Sequence, residues 1–373
     1  METCSTIISE MASASEYNEY IAACDRVICN TKQKRKDRAE AYSFRCYHLA
    51  AQKKFERALK DCDEAIRLDS KDAEYFNKRG HVFYVAREFD RSIADFDQAI
   101  RLNPDDEYSY TNRGNAYVDK QDYDRAIADY DKAIRLDPTN AFAHNNLATA
   151  YDLKGDYDRA LAGYSAAIKL KPDYAYAYDN RGRVYRIKRR FDQAVADHNA
   201  ALRIAPDFPE AYNNRGIAFV EKGNYERALA DFEKAARLGQ KPASAYSNLC
   251  WIRAIVGRDL RQALTECNEA LRLEASDADT LNRRGFTYLK LNQFDNAIAD
   301  YDAALKFDAD NANLLYGRGV AKVLRAEHAM RQSPGSADDR AGLDGNADIF
   351  TATMKKPDIA AEFEKYGVAL PPK

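Results

Sequence analysis

The 373-residue chain is short of the groups that usually perform catalysis or hold metal: it has five His, four Met and one Trp. His48, His81, His144, His198 and His328 share no metal-ligand spacing, and neither H-E-x-x-H nor C-x-x-C occurs. There is no Gly-rich phosphate loop, because Arg-Gly-Asn at 113–115 and Arg-Gly-Arg at 181–183 fall inside helical patterns. Gly163-Tyr164-Ser165 lies mid-helix with no strand before it, so it is no nucleophile elbow. These absences predict no catalytic residue, no metal and no cofactor. Charge of one sign is missing too. The 57 Lys+Arg and 59 Asp+Glu leave a net charge of −2, against a dedicated nucleic-acid or polybasic membrane binder. No apolar run approaches the roughly eighteen residues of a membrane span. Met1–Glu16 lacks the basic and apolar regions of a secretory signal, which predicts a cytoplasmic rather than a periplasmic protein. Ten Pro and 16 Gly are too few for a fibrous chain, and 46 % apolar residues too many for a disordered one.

What the chain does contain is a period. Pro104, Pro138, Pro172 and Pro206 are 34 residues apart. The small residues Cys46, Gly80, Gly114, Ala148, Gly182, Gly216 and Cys250 keep the same interval, and after one extra residue continue as Gly285 and Gly319. A fixed period of this size indicates a tandem array rather than the two or three domains that length alone suggests. With the small residue at position 8, units begin at Ala39, Ala73, Glu107, Ala141, Ala175, Pro209, Ala243, Ala278 and Ala312.

Each unit reads as two helices. In the third, Tyr110, Gly114 and Tyr117 form one buried stripe and Tyr123, Ala126, Tyr130 and Ala133 a second, with a break at 120–122. Gly155 and Gly223 stand in the equivalent breaks of later units, where a helix end favours positive φ. Asp137-Pro138 ends the unit. Tyr110, Gly114, Tyr117, Ala126, Tyr130, Ala133 and Pro138, repeated from Ala39 to about Gly319, resemble the tetratricopeptide repeat family. The Asn-Arg-Gly at 112–114 and 214–216 and the C-terminal sequence around Phe363 and Tyr366-Gly367 look like its bacterial multi-repeat members. The resemblance implies an all-α, right-handed superhelical solenoid of helix-turn-helix repeats. Residues 1–38 would be an N-terminal segment with a capping helix at 17–29. Residues 39–331 would be the array, about eight full repeats plus the first helix of a ninth. Residues 332–373 would be a loop (332–346) and C-terminal capping helices around 343–355 and 357–367.

The repeats can be compared with one another. Arg45, Arg79, Arg113, Arg181, Arg215 and Arg284 stand at position 7 of units whose position 23 is Asp61, Asp95, Asp129, Asp197, Asp231 and Asp300. The fourth unit has Leu147 and Gly163 instead, so both partners vanish together, which predicts an Arg–Asp bridge between the two helices of a unit. The seventh, with Leu249 and Glu266, fits the rule less well. Cys46 and Cys62 occupy positions 8 and 24 of the first unit, and Cys250 and Cys267 the equivalent positions of the seventh once its inserted residue is allowed for, and each pair is predicted to face across its hairpin. Without a secretory signal both pairs read as reduced core thiols. A Cys4–Cys24 bridge would require an oxidising compartment. His144 and His198 take aromatic core slots, whereas His81 at position 9 reads as a solvated residue, with a ligand-facing role as the alternative.

The remaining stripe of the first helices, positions 2, 5, 6, 9, 12 and 13, lines the concave groove in the resembled family, where extended peptides bind. Position 6 is Asn five times running (Asn112, Asn146, Asn180, Asn214, Asn248), offering amides that can pair with a peptide main chain or simply be solvated. Tyr108, Phe142 and Tyr176 at position 2 read either as anchors for apolar side chains or as core. Arg183 and Arg186 would bring cations to an acidic peptide. Family members that hold acidic chaperone tails place Lys at position 5; no unit here does, so that clamp is not carried over. The expected function is a non-enzymatic scaffold that binds a peptide or helical segment of a protein partner in the groove. The alternative is a self-associating structural or regulatory subunit that uses outer or capping-helix surfaces. Oligomeric state stays open.

Overall fold

A computed structural model describes residues 14–30, 32–239, 243–332 and 339–370. The described residues form twenty α-helices and no strand. Eight of the nine unit starts coincide with the first residue of a helix, from Ala73 to Ala312; the exception is the first unit, whose helix Arg35–Ala51 begins four residues early. The chain divides into two compact units, Met1–Val184 and Tyr185–Lys373. Each is a stretch of solenoid built from stacked helix hairpins.

The hairpins close as the periodicity predicts. The small residue at position 8 lets the aromatic at position 24 lie flat against its helix. A Cβ on Gly114 would sit 2.7 Å from Cε1 of Tyr130. The same close approach joins Gly80 to Phe96 in the first unit and Gly216 to Phe232 in the second. Fully buried alanines at positions 20 and 27, such as Ala126 and Ala133, complete the contact. Position 15 is left-handed in the first eight hairpins: Gly155, Gly223 and Gly257 supply this without strain, while Lys53, Arg87, Gln121, Arg189 and Asn292 hold φ of 57–64°.

Arginine at position 7 ties the hairpins together. Arg45, Arg79, Arg113, Arg215 and Arg284 each donate two hydrogen bonds of 2.6–2.8 Å to the buried Asp at position 23. Arg181 and Asp197, the sixth predicted pair, belong to different compact units. The remaining guanidinium nitrogen reaches the previous hairpin, as Arg79 does to Asp63 (2.7 Å) and Arg113 to Asp97 (2.6 Å). One side chain therefore spans three helices. In the seventh repeat Arg253, one turn beyond Leu249, takes over and grips Glu266 at 3.1 Å and Glu233 at 2.7 Å.

Several expectations need correction. Cys46–Cys62 and Cys250–Cys267 are disulfides, not reduced thiols, with Cα atoms 5.4 and 5.3 Å apart. Their positions bring the two helices of a hairpin within bonding reach, a constraint that the missing signal says nothing about. Cys4 lies outside the described residues. The N-terminal helix spans Ala14–Cys29, and the boundary at residue 38 cuts the helix Arg35–Ala51. At the other end, Asp339–Lys355 is a helix, so most of the predicted 332–346 loop is absent. This helix is the second helix of the ninth repeat. Arg318 at position 7 binds Asp348 at 2.8 and 2.7 Å, as its counterparts bind position 23. Gly319 and Gly345 permit the helices to touch, since a Cβ on either would lie 2.7–2.8 Å from the other's carbonyl oxygen. Burial pushes the Asp348 carboxyl up, but Arg318 and Lys322 outweigh it and hold it below the usual carboxylate range.

Candidate peptide-binding stripe

In the first unit the position-6 amides are oriented by the preceding repeat. Asn112 Nδ2 donates to Asn77 Oδ1 at 3.1 Å, and Asn180 Nδ2 to Asn145 Oδ1 at 3.4 Å. Asn146 Nδ2 instead reaches Asn115 Oδ1 at 3.2 Å. One N–H of each amide is thus spent between repeats, while all three residues remain half-buried. The acceptors Asn77 and Asn145 were missed from sequence, although position 5 is Asn or another small polar residue in most repeats. In the second unit Asn248 is buried with both ends engaged: it donates to Asn213 at 2.8 Å and accepts from Arg283 at 2.7 Å. Asn248 is an inter-repeat bond, not a groove contact. Asn214 is half-buried at the equivalent position.

The position-2 aromatics are not core. Tyr108 is 65 % exposed, Phe142 46 % and Tyr176 62 %. Phe142 meets Tyr174 edge-on at 5.0 Å, and Tyr174 meets Tyr176 at 6.5 Å. The Lys171 ammonium stands 4.7 Å from the Phe142 ring centre and 5.6 Å from that of Tyr174. Tyr174 and Lys171 close the preceding repeat, so these contacts cross a repeat boundary.

The two arginines of the stripe already have carboxylate partners. Arg183 pairs with Asp152, whose buried carboxyl is pushed up by desolvation against the pull of Arg183. Arg186 pairs with Glu221 at 3.1 Å. Neither is the open cation that an acidic peptide would need. His198 is fully buried, as its aromatic slot requires. His144 is only half-buried, with Nε2 3.2 Å from the Pro138 carbonyl. His81 is not solvated but stacked on Tyr47, ring centres 5.5 Å apart. Among the described residues no three His, Cys, Asp or Glu side chains converge as metal ligands, and no helix is long and apolar enough to cross a membrane.

Family profiles match this geometry. A TPR repeat profile covers 114–155, 182–223 and 287–323. Tetratricopeptide repeat profiles cover 46–107, 96–128, 141–174 and 209–241. Together these take in more than half the chain. The chain belongs to the tetratricopeptide repeat family. A comparison with curated protein sequences found no match. Among solved structures, a tetratricopeptide repeat protein from Parabacteroides merdae is similar at 19 % identity, over 63 % of this chain and 91 % of its own, with a TM-score of 0.51. The APC/C hetero-tetramer Cut9–Hcn1 is similar at 15 % identity, over 95 % of this chain and 66 % of its own, with a TM-score of 0.57. Pseudomonas aeruginosa pilF is similar at 16 % identity, over 57 % and 96 %, with a TM-score of 0.50. As a multi-repeat tetratricopeptide protein, the chain has the architecture of a protein–protein interaction scaffold, a fold typically without catalysis.

Proposed function

We propose that the first unit captures an extended segment of a protein partner along the stripe formed by repeats three to five. The observation that carries this reading is the exposure of Tyr108, Phe142 and Tyr176, one aromatic per repeat, beside amides that their neighbours already hold in place. Aromatic rings left in water at a regular interval are suited to apolar anchors of a ligand. Preset amide carbonyls accept main-chain N–H groups at low entropic cost. The partner is a peptide or protein rather than a small molecule, because the stripe is long and periodic.

Two double variants test this in a pull-down from source-cell lysate. Tyr108→Ser with Tyr176→Ser removes exposed rings and leaves stability within about 0.5 kcal/mol. Asn146→Ala with Asn180→Ala removes the ladder. Both lose the same partner if the stripe binds it; undiminished capture by the tyrosine variant overturns the reading.

A second reading, self-association, is favoured by Phe350 and Met354, which are 67 % and 71 % exposed one turn apart on the helix Asp339–Lys355. Light scattering on the wild type and on Phe350→Ser separates the two readings. We propose a cytoplasmic setting, in which the Cys46–Cys62 and Cys250–Cys267 disulfides would be exposed to reduction; sulfurs that resist alkylation in chain taken directly from cells would move it to an oxidising compartment.

A further inference from the structure

The last described segment of the chain does not extend the array. After the helix Asp339–Lys355, the chain turns at Pro357-Asp358 and forms the short helix Ile359–Lys365. A cap on the ninth repeat would lie against its second helix. This segment shares a cluster with Ala352 of that helix, but its rings meet first-helix residues of repeats seven, eight and nine. Tyr366 packs edge-on against Trp251 with ring centres 5.6 Å apart, and Phe363 edge-on against Phe286 at 5.7 Å and tilted against Tyr316 at 4.7 Å. Trp251 and Phe286 are at position 9, and Tyr316 is at position 5, of their repeats. These positions belong to the stripe on which, in the first unit, the candidate peptide contacts lie. Ile359 is fully buried and Val368 nearly so in the same cluster.

Polar contacts fix the segment as a ligand would be fixed. Lys290, at position 13 of the eighth repeat, donates from Nζ to the Ala254 carbonyl at 2.9 Å and to the Tyr366 carbonyl at 2.7 Å. It therefore joins the stripe to the C-terminal end of the short helix, where carbonyls lack helical partners. Gly367 continues from there at φ +79°, and a Cβ on it would lie 3.4 Å from Lys290 Nζ. Lys356, just before the turn, reaches Asn313 Oδ1 at position 2 of the ninth repeat at 3.4 Å and pairs with Glu362. A seven-residue helix has too few hydrogen bonds to persist alone, so its order depends on this surface.

We infer that residues 357–370 are an intramolecular ligand of a second segment-binding site, the first-helix stripe of repeats seven to nine. The site takes a short amphipathic helix with an aliphatic residue at i and aromatics at i+4 and i+7, as Ile359, Phe363 and Tyr366 provide. A partner segment of that chemistry competes with the chain's own end. The inference concerns the second unit alone and stands or falls independently of capture by the first.

Trp251, the chain's one tryptophan, reports on the site. In full-length Ile359→Asp/Phe363→Asp protein the segment is released, and Trp251 emission shifts to longer wavelength while helical content is retained. A synthetic peptide of residues 356–373 added to that variant reverses the shift, and the same peptide carrying Phe363→Ala binds about tenfold or more weakly. The peptide does not change the wild-type spectrum at matched concentration, since the site is filled. Failure of the peptide to reverse the shift, an unshifted spectrum in the variant, or loss of helix from the repeats would each overturn the inference. In the last case the segment is an integral part of the fold. Hydrogen exchange on the wild-type chain checks this directly: amides of 359–368 exchange through an opening that leaves the helices Ala278–Lys290 and Ala312–Gln332 protected, and exchange at one common rate is the contrary result.

Discussion

Arg113 grips the Asp129 carboxylate from the opposite helix of its hairpin through two hydrogen bonds, 2.8 Å from Nε to Oδ2 and 2.6 Å from Nη2 to Oδ1. Burial pushes the Asp129 carboxyl up against the pull of Arg113, so the aspartate depends on its partner to stay charged. Arg113→Leu should therefore cost about 3–5 kcal/mol, the penalty for an uncompensated buried charge. Adding Asp129→Ala should recover most of that loss, because the fourth repeat already dispenses with both groups through Leu147 and Gly163. Urea midpoints of the two singles and the double close the cycle. A double variant as unstable as Arg113→Leu alone would show that the arginine works through its 2.6 Å bond to Asp97 in the preceding hairpin.

That bridge was legible because eight copies of one pattern let positions 7 and 23 be seen to change together. The same comparison gave the helix starts and the facing cysteines. It failed where the pattern breaks. Arg253 replaces position 7 from one turn away, and Asp348 replaces position 23 from beyond a gap in the period, so neither is visible to a ruler of 34 residues. The state of the cysteines was argued from the N-terminus, which does not bear on how close two helices stand. Site residues were read less well than the fold, because exposure on a helix face depends on the neighbouring repeat. Tyr108 and Asn248 fall on the same sequence stripe, yet one is open to water and the other buried between repeats.

The Tyr301 hydroxyl is fully buried and has no hydrogen-bond partner. The equivalent Tyr130 donates to Asn115 at 2.7 Å, whereas Phe96 and Phe232 need no partner at all. Tyr301→Phe should therefore stabilise the second unit by about 1–2 kcal/mol, the cost of leaving a buried polar group unsatisfied. Thermal or urea unfolding measures it. A destabilised variant would mean that an ordered water completes the site.

The Cys46–Cys62 disulfide stands where the next repeat has Gly80 against Phe96. It closes a loop of 16 residues, so reduction should lower stability by about 3 kcal/mol in the chain-entropy account. Cys46→Gly with Cys62→Phe writes the neighbouring repeat's solution into the first hairpin. It should fold, and the unfolding of that hairpin should no longer respond to dithiothreitol, while the wild type loses midpoint on reduction. Equal sensitivity in both proteins would assign the redox response to Cys250–Cys267.

His81 stacks on Tyr47, and burial lowers its pKa below the usual value for histidine. His48, stacked on Tyr20, is lowered too, by burial first and then by the charge of Lys78. A depressed folded-state pKa means that the unfolded chain binds the proton more readily. The contribution of both residues is complete above the unfolded pKa of about 6.5 and is lost as pH falls from there toward the folded value. The first unit should accordingly have a lower urea midpoint at about pH 5.5 than at neutrality, a window in which carboxylates in water stay ionised. His81→Phe keeps a ring against Tyr47 and removes the titration, so its midpoint should change less over the same interval. A pH response as large as that of the wild type would place the effect elsewhere and leave the His81 stack without a role in it.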